Sequence, residues 1–292
     1  MLQGTFTALI TPFKKDASFD AESLARIVEH QLDQGIDGLV PVGTTGESPT
    51  VSHKENLQII EHVVRIVGGK IPVIAGTGSN ATSEAIEMTK QAKAIGAFAS
   101  LQVAPYYNKP SQEGFYRHYM NIADKTDFPL IIYNIPGRTG KNISIDTILR
   151  LAKHPRIIAV KEASGDFHQI TQLILHAPEH FSILSGDDAI SLPLIALGAK
   201  GIISVASNII PGKIKHIIDK ALCGEIETAR KSFLYLYPFI RILFTESNPI
   251  PVKYAMHIAG FCEEVFRLPL YPMEEKKKTD LRSIMTQLEI LR

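Results

Sequence analysis

Short apolar runs recur along the chain, and most of them lack the alternation of apolar and polar positions that marks a strand with one wet face. They cover residues 5–10, 38–42, 73–76, 100–104, 130–134, 157–162, 181–185 and 201–206, about 20–35 residues apart. Continuous apolarity over four to six residues fits strands buried on both sides. Between the runs lie amphipathic stretches: Leu24, Ile27, Val28 and Leu32 repeat at helical spacing, as do Leu57, Ile60, Val63 and Val64. Ser52 precedes Glu55 at capping-box spacing, and Ser83, ahead of Ile86 and Glu87, predicts another helix start. Ser144 with Asp146, and Pro211 with Gly212, open two more. Eight strand–helix repeats with no evident edge strand favour a closed α/β architecture, a (β/α)8 TIM barrel, over a doubly wound open sheet. The barrel is expected over 1–224. Helical stretches at 225–244, 249–260 and 274–291 predict a C-terminal helical domain over 225–292, packed outside the barrel where it could link one barrel to another.

Composition narrows this picture without changing it. With 292 residues and 45% hydrophobic content, one large core is readily buried. A formal net charge of +1 offers neither a nucleic-acid-binding excess nor an acidic arm. The run Lys276-Lys277-Lys278 sits among Glu274, Glu275 and Asp280 and reads as a solvated helix start. Cys223 and Cys262 are distant from each other and from any histidine cluster of metal spacing, which argues against a disulfide scaffold or a metal site and for a reducing cytoplasm. No signal peptide opens the chain, and no apolar run approaches the roughly 18 residues needed to span a bilayer.

In a barrel of this kind chemistry belongs at the C-terminal strand ends. Lys161 stands out there, because it closes the apolar stretch Ile157-Ile158-Ala159-Val160 instead of lying on a helix surface. Apolar surroundings disfavour an ammonium, and a neutral amine attacks ketones. The plainer readings are a lysine reaching the barrel rim or one paired with Glu162. Tyr133 ends the preceding strand and could relay a proton, or simply cap the core. Thr44 and Thr45 lie in the glycine-flanked turn Gly43-Thr44-Thr45-Gly46-Glu47, where backbone N–H groups and hydroxyls suit a carboxylate. Arg138, in a Pro-Gly loop at the barrel mouth, could clamp a carboxylate through two parallel hydrogen bonds, or be an ordinary surface arginine. Gly76-Thr77-Gly78-Ser79-Asn80-Ala81 imitates a dinucleotide fingerprint. It is set aside because the run at 100–104 ends without an acidic residue for a ribose and the match falls in the third unit. His53, His118 and His168 lack partners at metal-ligand spacing.

Taken in order, these motifs resemble those of the dihydrodipicolinate synthase family, within the N-acetylneuraminate lyase superfamily. The resemblance runs over essentially the whole chain. It is carried by Gly43 to Glu47, by Tyr133-Asn134-Ile135-Pro136-Gly137-Arg138-Thr139-Gly140, by Val160-Lys161-Glu162-Ala163, by Gly186-Asp187-Asp188 and by Glu246-Ser247-Asn248-Pro249-Ile250-Pro251-Val252-Lys253. It implies a lyase of lysine and diaminopimelate biosynthesis, in which Lys161 forms a Schiff base with pyruvate and the enamine attacks L-aspartate 4-semialdehyde before cyclisation. Tyr133, Thr44 and Tyr107 are similar to the family's proton relay, Tyr107 being the tyrosine that members insert into a partner subunit's site. Thr45, Arg138, Ile203 and Gly186 match substrate-binding positions. No metal and no organic cofactor is implied, since the protonated imine is itself the electron sink. The resemblance also implies a homo-oligomer, a tetramer built as a dimer of dimers.

Ser48, His53, Asn80, Glu84 and Tyr106 are similar to the family's lysine feedback site. Asn56 departs from the histidine common in lysine-sensitive members, and Pro49 from a common alanine. A weakened lysine site and a hydrated polar interface both fit. Two other functions stay open beside the synthase. One is another pyruvate aldolase or lyase, acting on N-acetylneuraminate or a keto-sugar acid, against which the fixed cation Arg138 argues. The other is a barrel that binds a keto acid without turnover.

Overall fold

The computed structural model describes residues 1–291. Its eight strands are β1 (Gly4–Ala8), β2 (Gly38–Val40), β3 (Ile74–Gly76), β4 (Ala99–Val103), β5 (Leu130–Asn134), β6 (Ile157–Glu162), β7 (Ser182–Ser185) and β8 (Gly201–Ser204). All neighbours pair in parallel, in chain order from β3 to β8, and β1 lies between β8 and β2. Closure is completed by a bridge from Leu39 to Val73, with Gly76 N–H donating to Pro41 O at 3.0 Å. The barrel expected from the eight repeats is therefore formed, with β2 and β3 meeting across this short seam.

Twelve helices surround it: α1 (Ala21–Asp33), α2 (His53–Val67), α3 (Thr82–Ile95), α4 (Gln112–Thr126), a short α5 (Pro136–Thr139), α6 (Ile145–Leu151), α7 (Phe167–His176), α8 (Ser191–Leu197), α9 (Pro211–Leu222), α10 (Ile226–Ile242), α11 (Ile250–Ile258) and α12 (Glu275–Gln287). Ser52 and Ser144 cap α2 and α6 as their spacing predicts, and Pro211 opens α9. Ser83 does not open α3. That helix begins at Thr82, and Ser79 does the anchoring, accepting from Ala81 N–H at 3.2 Å and donating to Glu84 at 2.7 Å. Two apolar layers result. Phe6, Ile74, Leu101, Ile131 and Leu184 fill the barrel interior, while alternate strand residues such as Ile132, Val160 and Ile202 pack outward on the helices. Cys223 and Gly224 turn the chain from α9 into α10, and Ile217, Ile218, Phe233 and Leu236 lie in the same outer core across that turn.

The lysine run at the start of α12 is less solvated than its sequence predicts. Lys278 pairs with Glu264 at 3.0 Å and Lys277 with Glu246 at 3.2 Å, because the fold brings those distant acids to the helix start. Among the described residues, no helix is long and apolar enough to cross a membrane, and no cluster of three or more His, Cys, Asp or Glu side chains could hold a metal ion.

Candidate active site

The pleat of β6 decides the first question about Lys161. Successive strand residues face opposite sides, so Lys161 enters the barrel while Glu162 points outward. There Glu162 accepts from Asn134 Nδ2 at 3.0 Å, Gln169 Nε2 at 3.2 Å and Ser164 N–H at 2.7 Å. Burial pushes the Glu162 carboxyl above the ordinary range, against those donors. Lys161 and Glu162 form no ion pair, and Lys161 is only 5% exposed, so neither the rim reading nor the pairing with Glu162 holds.

Around the amine the barrel is shaped by its neighbours. Register places Tyr133 opposite Lys161 and Leu184 on its other side. The Lys161 Nζ lies 4.2 Å from the centre of the Tyr133 ring. Gly186 follows β7 beside the lysine, and a Cβ there would come within 3.1 Å of Lys161 Cε and 2.8 Å of Ala163 Cβ. The glycine thus leaves the lysine its extended course.

The threonine turn follows β2. Gly46 N–H donates to Gly43 O at 3.0 Å, Glu47 N–H to Thr44 O at 3.1 Å, and Thr11 Oγ1 to Gly46 O at 2.7 Å. Gly46 is required, because a Cβ there would lie 2.9 Å from Val42 Cα. Thr44 and Tyr133 line one cavity at the barrel mouth. Thr45 is buried, and its Oγ1 accepts from Asn248 Nδ2 at 3.0 Å. Asn248 reaches Arg138 too, whose Nη2 donates to the Asn248 carbonyl at 3.0 Å. Asn248, two residues ahead of α11, therefore ties together the two candidate carboxylate binders. The motif Glu246 to Lys253 was visible as a family signature, but nothing local pointed to this role for Asn248.

The two remaining predicted site residues differ, one within the interior layer and one at the surface. Ile203 is wholly buried on β8 within the interior layer. Tyr107 is 90% exposed and adopts φ +69°, rare for a bulky side chain. Its loop is tied back by Asn80 Nδ2 to Tyr106 O at 3.3 Å and Asn108 Nδ2 to Asn80 O at 2.9 Å.

Four of the five candidate feedback residues gather, and the fifth, Asn80, contacts the Tyr106 loop instead of lining the cavity. Ser48, His53, Glu84 and Tyr106 line the same cavity as Thr44 and Tyr133, and His53 Nε2 lies 3.9 Å from Glu84 Oε2. Asn56 enters that cavity as well. Its Nδ2 donates to Gly76 O at 3.2 Å, and its buried Oδ1 has no partner.

Sequence reasoning missed a second buried lysine. Lys253 on α11 forms an ion pair with Glu47, and both side chains are fully buried. Lys253 Nζ also donates to Val265 O at 2.9 Å and sits 4.3 Å from the Phe13 ring centre. Burial pushes the Lys253 ammonium below its ordinary range, and Glu47 opposes this. Asp188, in the turn after β7, accepts from Ser204 Oγ at 2.5 Å and Val205 N–H at 2.8 Å, and burial lifts its carboxyl to about 6.

Residues 1–288 match the model of the dihydrodipicolinate synthetase family. A 4-hydroxy-tetrahydrodipicolinate synthase of Chloroherpeton thalassium is 49% identical over 291 residues, covering 99% of this chain and 96% of the relative. The chloride-inhibited dihydrodipicolinate synthase of Acinetobacter baumannii, solved with pyruvate, superposes with a TM-score of 0.98 at 44% identity over 100% of both chains. The enzyme of Cyanidioschyzon merolae, solved with lysine bound, gives 0.96 at 39% identity over 99% of both.

Proposed function

The chain belongs to the dihydrodipicolinate synthetase family, and from that premise we propose how its residues carry out the 4-hydroxy-tetrahydrodipicolinate synthase reaction. The Lys161 amine attacks the ketone carbon of pyruvate, water leaves, and a protonated imine forms. Loss of a methyl proton gives the enamine, whose carbon attacks the aldehyde of L-aspartate 4-semialdehyde. The adduct's own amine then attacks the imine carbon, closing the ring and freeing Lys161. The reaction is a lyase's, and it needs no metal or organic cofactor because the imine accepts the electron pair. The observation that carries this reading is a buried lysine inside the barrel, unpaired with Glu162 and resting on the Tyr133 ring.

Tyr133 and Thr44 act as proton carriers to the forming imine, and Thr45 with the turn's N–H groups receives the pyruvate carboxylate. Gly186 and Ile203 border the bound keto acid. Arg138 receives the carboxylate of the second substrate. Tyr107 completes the relay in a partner's site, which its exposure supports, and the assembly is a homotetramer built as a dimer of dimers. L-Lysine is the proposed feedback ligand, with Glu84 facing its ammonium group. Asn56, in place of histidine, makes inhibition weaker than in histidine-bearing relatives. The proposed compartment is the cytoplasm.

Pyruvate with borohydride, followed by peptide mass analysis, should give a covalent adduct on Lys161. Consumption of pyruvate together with aspartate semialdehyde, without cleavage of N-acetylneuraminate, selects this reaction over the sugar-acid lyases. A chain that traps pyruvate yet consumes neither partner aldehyde would be a keto-acid binder instead. Arg138→Ala should lower kcat/KM for the semialdehyde about 100-fold while imine trapping stays intact. Equal loss of both steps would remove that role from Arg138.

A further inference from the structure

The turn that presents Thr44 and Thr45 is bracketed by two strained residues. Val42 has φ +53° and Glu47 φ +56°. Neither is glycine, and a β-branched side chain in the left-handed region is a true outlier that persists only where its surroundings over-determine it. The Val42 end is pressed against Gly46 and Gly76, where any Cβ would meet Val42 backbone atoms at 2.9 Å and 2.2 Å. The Glu47 end is held by its side chain, which is fully buried and ion-paired to Lys253. Arg267 N–H adds a contact to Glu47 Oε2 at 3.3 Å, and the Arg267 guanidinium is fixed by Glu55 at 2.7 Å and Thr50 O at 3.0 Å.

We infer that Glu47 and Lys253 are positioning residues for the pyruvate carboxylate, acting through the backbone of the threonine turn; this rests on the function proposed above. Neither side chain reaches solvent, so neither touches substrate. Their effect passes along two routes. Glu47 N–H donates to Thr44 O, so anchoring the carboxylate sets the peptide planes at 44–47. Lys253 N–H donates to Pro249 O at 2.9 Å, in the first turn of α11, directly after the Asn248 that donates to Thr45 Oγ1. The pair therefore fixes both the N–H groups and the hydroxyl that would receive a carboxylate. A charged hydrogen bond is sensitive to such placement.

The test uses the full chain with Lys253→Met alone and with Glu47→Gln/Lys253→Met together. The double variant leaves no lone charge buried, so it keeps the fold available should the single variant fail to fold. KM for pyruvate, kcat, KM for the semialdehyde, and borohydride trapping against pyruvate concentration are measured, with a thermal melt for each. The expected result is a rise of about tenfold in the pyruvate KM and in the half-saturation of trapping, as for one weakened charged hydrogen bond. The semialdehyde KM should move less, and kcat should stay within about threefold. A merely structural pair would lower the melting temperature and leave the pyruvate KM alone. A double variant with wild-type pyruvate KM therefore overturns the inference, as does a fall in kcat at unchanged KM. A wild-type chain that traps no pyruvate overturns the underlying function and this inference with it.

Discussion

Two lysines are buried in this molecule, and they lie in opposite electrostatic settings. Lys253, on α11 outside the barrel, meets Glu47 in a pair sealed from solvent, with a backbone carbonyl and an aromatic face completing its surroundings. Lys161, inside the barrel, forms no ion pair among the described residues and has Tyr133 and Gly186 around it. A carboxylate at contact distance holds a lysine as an ammonium and makes it a fastening. A lysine without one has its nitrogen tied to no acid and open to a carbonyl carbon. Burial alone therefore does not separate the two lysines; the missing counter-charge does, and the lysine without one is the proposed nucleophile. Tyr133, against which the Lys161 amine rests, also lines the cavity that holds Thr44.

The contrast breaks most sharply under one substitution made at both sites. Lys161→Met should lower kcat by about 10⁴-fold or more, because the proposed imine needs its amine. Its melting temperature should hold or rise, since an apolar chain of similar length replaces an unpaired amine. Steady-state assay and calorimetry on the same sample check both halves. Wild-type turnover in that variant removes Lys161 from the chemistry. A marked loss of stability shows that the amine is a structural element after all.

Lys253→Met should do the reverse. It strands the Glu47 carboxylate in the core, and breaking a buried pair from one side costs about 3–5 kcal/mol. Chemical denaturation should show this as a lower midpoint at unchanged slope. Adding Glu47→Gln should recover a good part of the loss. If Lys253→Met were as stable as wild type, the two lysines would differ in position only, and the pair would be no fastening.

How much of this could be read beforehand follows from where each signal lies. The barrel was legible because its strands are buried on both faces, so eight runs stood out without alternation. Lys161 was legible because a charge at the end of such a run is out of place. The competing pairing with Glu162 could be dismissed only once the pleat was assigned, although the two-residue period of a strand already contained that answer. Lys253 carried the same local signal, a charge among Ile250, Val252, Ala255 and Met256. Its partner, however, lies 206 residues away, and no local pattern reports a contact of that span. Asn248 was hidden for the same reason. Ser83 misled because serine before an apolar stretch is only a preference, and here Ser79 makes the contacts that start α3. The run at 276–278 misled because Glu246 and Glu264 reach it only through the tertiary fold.

A third buried base sharpens the comparison. His118, on α4, has Thr82 Oγ1 at 2.9 Å from Nδ1, the Tyr119 ring edge-on, and no partner at Nε2. It faces no carboxylate, and burial lowers its pKa from 6.5 to about 4. The unfolded chain takes up a proton below 6.5, while the folded chain refuses it until about 4. The neutral ring's contribution is therefore complete above that window and is lost as pH falls through it. Between pH 6.5 and 5 the loss should come to roughly 2 kcal/mol. His118→Gln keeps an acceptor for Thr82 and cannot titrate, so its stability should fall less steeply over that range. Denaturant midpoints for both chains at each pH isolate the difference from the other histidines. Parallel pH profiles would mean that the folded chain protonates the buried ring as readily as the unfolded chain does, so that burial without an acid beside it does not keep this base neutral.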